Sequence, residues 1–110
     1  MNPRMTPNLL TAWRQERDGR SASWARIGAM RCRWDESRET VSGVSGDTAA
    51  WSAEIILPCV TDEPPLLHGD RVALGMRLGG EPSADALAVV GCHPVHLGGA
   101  HPHHWEATAR

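Results

Sequence analysis

The sequence predicts an all-β fold, a small barrel or sandwich of short antiparallel strands. Three observations predict it. From residue 22 onward, apolar side chains recur at every second position, the period of a half-buried strand. Clusters rich in Gly and Pro interrupt that alternation at short, regular intervals. Finally, 110 residues with 41% hydrophobic content leave room for one domain around one core.

Residues 1–21 stand apart from this pattern. Thr6-Pro7-Asn8 can open a short helix over Leu9 to Asp18, with Leu9, Leu10 and Trp13 on one stripe and Gly19 as a stop. The same residues also suit an extended arm that orders only against a neighbour, and the sequence leaves both readings open. Residues 22–110 are expected to form the single β domain.

In Gly28–Trp34, Met30, Cys32 and Trp34 alternate with Arg31 and Arg33, which predicts a strand with one apolar and one cationic face. Asp35-Glu36-Ser37 reads as a turn, Glu39–Val44 as a returning strand, and Ser45-Gly46-Asp47 as the next break. Trp51, Ala53, Ile55 and Leu57 then share a face up to Pro58, which ends ladder donation. Residues 61–70, with Pro64 and Pro65, form a loop, and Gly69-Asp70 turns into a strand over Arg71–Leu78 with Val72, Leu74 and Met76 aligned. Leu87–Val90 resumes a strand, Gly98-Gly99 breaks it, and Trp105, Ala107 and Ala109 align on a closing strand.

Composition narrows the function classes. The chain has five Trp, no Phe and no Tyr, so Trp34, Trp51 and Trp105 are expected to fill the core beside aliphatic side chains. A formal charge of −2 argues against a dedicated nucleic-acid binder, and a small barrel of the OB type would lack its usual stacking residues. All eleven basic residues are Arg, a type suited to planar interface contacts and also favoured by GC-rich coding. Cys32, Cys59 and Cys92 are odd in number and widely spaced, which suits buried thiols in a reducing compartment rather than a disulfide framework. No apolar run is long enough to span a membrane, and the first ten residues lack the apolar core of a signal peptide, so synthesis in a cytoplasm is expected.

The sharpest chemical signal is a histidine cluster. His93, His96, His101, His103 and His104 lie close together with Cys92 adjoining, and imidazole and thiolate are zinc's preferred ligands. A metal-binding module or small metalloenzyme would draw on His101, His103, His93 and Cys92, with His101 and His103 on one face of a strand. The spacing fits no zinc pattern, and Pro94, Pro102 and Gly98-Gly99 give the segment a loop-like character, so solvated histidines are the leading reading. The sequence holds no nucleophile elbow, Walker sequence or dinucleotide fingerprint. Asp35-Glu36 and Asp62-Glu63 flank turns, where solvated carboxylates are the ordinary outcome. Neither an enzymatic activity nor a cofactor is expected.

One ordered set of segments carries a resemblance. It runs Arg31-Cys32-Arg33-Trp34-Asp35-Glu36, Ala53-Glu54-Ile55-Ile56-Leu57-Pro58, His68-Gly69-Asp70-Arg71-Val72, Val89-Val90-Gly91, and the closing His103-His104-Trp105-Glu106-Ala107-Thr108-Ala109-Arg110. Over residues 24–110 this order resembles the small minor structural proteins of siphophages and prophages, encoded among head-completion and neck genes. The resemblance implies a β-barrel or sandwich subunit of the head–tail connector, located in the virion neck. Its implied partners are copies of itself in a ring, the portal or adaptor proteins and the tail proteins, with passive contact to channel DNA compatible and no membrane. Candidate interface residues are Trp13 and Trp24 in or near the arm, Arg31 and Arg33 on their polar strand face, and Pro64, Pro65, Leu66 and Leu67 in a loop that would project toward a neighbouring ring.

Overall fold

The computed structural model describes residues 3–44 and 46–110. After a short 3-10 turn at Pro3–Met5, six strands follow: β1 (Asn8–Asp18), β2 (Ser21–Gly43), β3 (Gly46–Pro58), β4 (Arg71–Leu74), β5 (Leu87–Val95) and β6 (His104–Ala109). They close into an antiparallel barrel in the order β1-β2-β3-β6-β5-β4, with β4 pairing back onto β1. Closure gives each of the six strands a neighbour on both sides over part of its length.

The barrel core mixes large and small side chains. Ile55 pairs with Ala107, Leu57 with Trp105, and Ala53 with Ala109. Leu10, Ala12, Cys32, Leu66, Val72 and Val89 complete the buried cluster with these residues. Met30, Trp34 and Leu87 pack against it from the rim.

Residues 8–18, expected as helix or arm, form a strand built into the wall. β1 pairs with β2 on one side and with β4 on the other. Over Leu10–Trp13 both of its faces are buried, which hid its period: Leu10 and Ala12 face the core, and Thr11 and Trp13 are equally inaccessible. The segment after β4 covers Thr11 and Trp13. Thr11 Oγ1 donates to the Gly75 carbonyl at 2.7 Å and accepts from Arg77 N–H at 2.8 Å, while Trp13 Nε1 donates to the Gly79 carbonyl at 2.9 Å. The strand expected over Arg71–Leu78 therefore stops at Leu74. Gly75, at φ 93°, turns the chain outward to form this strap, and Leu74 and Met76 are left exposed.

At about 3.3 Å per residue, the 23 residues of β2 would span roughly 75 Å if straight. The longest dimension of the molecule is 49 Å, so β2 must bend. A bulge supplies a bend: Ala12 faces Gly28 but Trp13 faces Arg26, so Ile27 is extra. The turn expected at Asp35–Ser37 is absent, because β2 runs on to Gly43 and the chain reverses between Gly43 and Gly46, where Gly46 takes φ 111°. That reversal includes Ser45, which lies outside the described residues. A second bulge in β5, at Val90, resets the alternation and turns Cys92 toward the core. β5 continues past Val90 to Val95, and Pro94 is tolerated because β4 flanks β5 only at Leu87 and Ala88.

Candidate assembly surface

Two hairpins extend past the closed wall. In the first, β1 residues 14–18 pair with β2 residues 21–25 around a tight turn, where Gly19 takes φ 63°. In the second, β2 residues 35–43 pair with β3 residues 46–54. β1 has left β2 by Cys32, and β6 meets β3 only from Ala53 onward. Among the described residues, the outer edges of both ribbons therefore carry no strand partner. Such edges are templates for another chain.

The ribbons differ in charge. Over residues 14–26 the sequence places four arginines against two acids, and Arg71 adds a fifth guanidinium at the base, 5.8 Å above the Trp24 ring. Over residues 35–52 it places four acids against Arg38 alone. Arg38 sits 5.5 Å above the ring of Trp51, its paired residue. Trp51, expected in the core, is 49% exposed because β6 pairs with β3 only from Ala53 onward. Trp51, Trp34, Leu74, Leu87 and the Arg77–Asp85 ion pair (2.8 Å) line a groove of about 570 Å³ at the root of the second ribbon.

The sequence-derived interface residues separate into two groups. Trp24 is half-buried, and Arg31, Arg33, Pro64 and Leu67 are exposed on the surface, with Pro65 half-buried. Trp13 and Leu66 are fully buried and take structural places instead. The 61–70 loop does not simply project. Leu66 plugs the core, and Asp70, only 2% exposed, ties the loop down. Asp70 receives both Arg14 Nε (3.0 Å) and Nη2 (2.8 Å), as well as Leu67 N–H at 2.9 Å, and its carbonyl accepts from Val89 N–H at 2.7 Å. The carboxylate raises the pKa of Arg14 further through this hydrogen bond. Arg14 and Asp70 are 56 positions apart, and no sequence signal links them.

Comparison with family models, curated proteins and solved structures found no match.

The histidines pair with neighbouring carboxylates and with one another. His101 binds Asp62 at 2.8 Å, His104 contacts Glu106 at 3.2 Å and His103 at 3.0 Å, and His93 lies 3.6 Å from Glu106. His101 and His103 precede β6 and so do not share a strand face as expected. Cys92 packs on the core, where burial raises its pKa, and burial pushes the Cys32 thiol up to about 12. Among the described residues, no group of three or more His, Cys, Asp or Glu is placed to hold a metal ion. The set His101, His103, His93 and Cys92 is not assembled into one site. Among these residues, also, no helix is long and apolar enough to cross a membrane.

Proposed function

We propose that the protein is a structural subunit of the head–tail connector of a tailed bacteriophage, acting by assembly with copies of itself into a neck ring between portal-side and tail proteins. The observation that carries this reading is the fate of the ordered segments that resemble neck proteins. Arg31–Glu36 lies in β2, Ala53–Pro58 in β3, Arg71–Val72 at the start of β4 with His68–Asp70 in the loop before it, Val89–Gly91 in β5, and His104–Ala109 is β6. Each of the five short motifs thus contributes to one of five successive strands of a closed barrel, one of the two folds, barrel or sandwich, that the resemblance implies. The two open-edged ribbons supply distinct surfaces of the kind that heterologous ring contacts need. The reading assigns the protein no substrate and no cofactor, and it places the protein in the virion neck.

The test is to size the purified protein alone and with the portal-side and tail proteins encoded beside its gene, and to search the assembled particles for it by mass spectrometry. The expected result is a ring-sized species or a stable complex with one of those proteins, with the chain present in particles. A protein that remains monomeric beside both partners and is missing from particles would refute the proposal.

A further inference from the structure

We propose that the acidic ribbon of one copy, residues 35–52, docks on the basic ribbon of the next, residues 14–26, so that copies join head to tail through the two ends of β2. This inference deepens the ring-subunit reading and rests on it for its biological setting.

Three observations converge. Both ribbons present strand edges that the barrel leaves unpaired, among the described residues. Their net charges are opposite: four acids against one arginine on the second and, with Arg14 paired to Asp70, three arginines against two acids on the first. Finally, the ribbons leave the barrel from opposite ends of the same strand, so a single copy presents both partners of the contact at separate places.

Charged edges commonly serve only to keep strands from aggregating. That role needs charge of either sign, distributed without regard to position. Here the two ribbons differ in net sign, and that difference has a definite consequence. Two acidic ribbons repel, and so do two basic ones, which disfavours a two-fold dimer. The acidic-to-basic contact is a heterologous one, which closes into a ring when the rotation per copy permits. Backbone pairing along the edges supplies the contact, and the charges set partner and direction. Arg14 takes no part, since Asp70 holds it. Arg17 and Arg20 on the first ribbon and Glu36 on the second are exposed, and Asp35, also exposed, lies 3.3 Å from Arg33 of its own strand.

The experiment uses the full chain and three preparations besides the wild type: Arg17→Glu/Arg20→Glu, Asp35→Arg/Glu36→Arg, and an equimolar mixture of the two. Sedimentation velocity and mass photometry read the oligomer, and circular dichroism confirms that each variant is folded. Wild-type self-association is expected to weaken at least about tenfold on raising NaCl from about 50 mM to about 500 mM. Each charge-reversed variant is expected to lose self-association, and the mixture to recover it as alternating copies.

The proposal is overturned if both variants assemble as the wild type does, or if the mixture fails to recover. It is equally overturned if the basic ribbon proves to bind duplex DNA while the protein shows no self-association. The outcomes separate the two readings. A protein found in particles whose assembly ignores these charges keeps the neck role and loses this contact. Charge-dependent assembly by a protein missing from particles keeps the contact and loses the neck role.

Discussion

The Arg14–Asp70 pair provides a sharp test of what anchors the loop to the barrel. The Asp70 side chain is 3% exposed and that of Arg14 is 36% exposed, so the two partners are unequal when separated. In Arg14→Met the carboxylate stays buried and loses both guanidinium hydrogen bonds, retaining only Leu67 N–H. Breaking a buried pair in this way costs about 3 kcal/mol, at the low end for buried ion pairs because the arginine side is partly hydrated. In Asp70→Asn the amide oxygen can keep the Leu67 contact and Arg14 can turn to water, so the cost falls to about 1–2 kcal/mol. The double variant removes the stranded charge and is expected to be more stable than Arg14→Met alone. Urea unfolding at pH 7 measures all three. For a domain of this size the Arg14→Met loss corresponds to a drop in Tm of roughly 12–20 °C. If Asp70→Asn costs as much as Arg14→Met, burial of the carboxylate is not what makes the pair matter, and the reasoning fails.

Three further predictions follow from the same geometry. Gly75→Ala meets no atom within 4 Å, so its cost is that of forcing an L-residue to φ 93°, about 1–2 kcal/mol by urea midpoint. An unchanged midpoint would mean that the strap over Thr11 and Trp13 does not need this conformation. The raised pKa of Cys32 keeps its thiol protonated in the fold while the unfolded chain ionises it above the ordinary value of 9.0, so stability is expected to fall as pH rises from about 9.0 toward about 12. Consistent with this, iodoacetamide should label Cys32 only on unfolding, and rapid native labelling observed by mass spectrometry would contradict its placement. A chelator such as EDTA is expected to leave Tm unchanged, whereas a fall of several degrees would indicate that the C-terminal histidines gather around an ion.

How much of the fold was legible depended on how many faces of each strand meet solvent. β6 and the middle of β2 were read correctly because each has one dry and one wet face, so Trp105, Ala107 and Ala109, or Met30, Cys32 and Trp34, stand out at period two. β1 failed that test. The strap buries Thr11 and Trp13 as thoroughly as the core buries Leu10 and Ala12, and the consecutive apolar run then mimics a helical stripe. Asp35-Glu36-Ser37 carries strong turn chemistry, yet strand pairing to β3 prevails there, with Ser37 and Ser52 hydroxyls 2.8 Å apart across the ladder. Trp51 shows the opposite error: its alternation with Ala53 is correct, but the core ends one pair short of it.

The candidate surface was legible only in part. Arg31 and Arg33 on a polar strand face, and the difference in net charge between residues 14–26 and 35–52, are present in the sequence. That the two charged stretches become ribbons at opposite ends of one strand, each with a free edge, follows from where β1 and β6 stop pairing.

By itself the sequence determined the all-β class, the inward set of β6 and of the middle of β2, the loop character of residues 61–70 and the near-neutral charge. These depend on local period and composition, which each segment carries wherever it folds. Tertiary structure alone decided that β1 joins the wall, that β2 spans two sheet directions, that Leu66 and Asp70 bind the loop inward, and which edges remain open. Each of these depends on contacts between residues far apart in the chain, and barrel closure selects among local preferences that are too weak to choose alone.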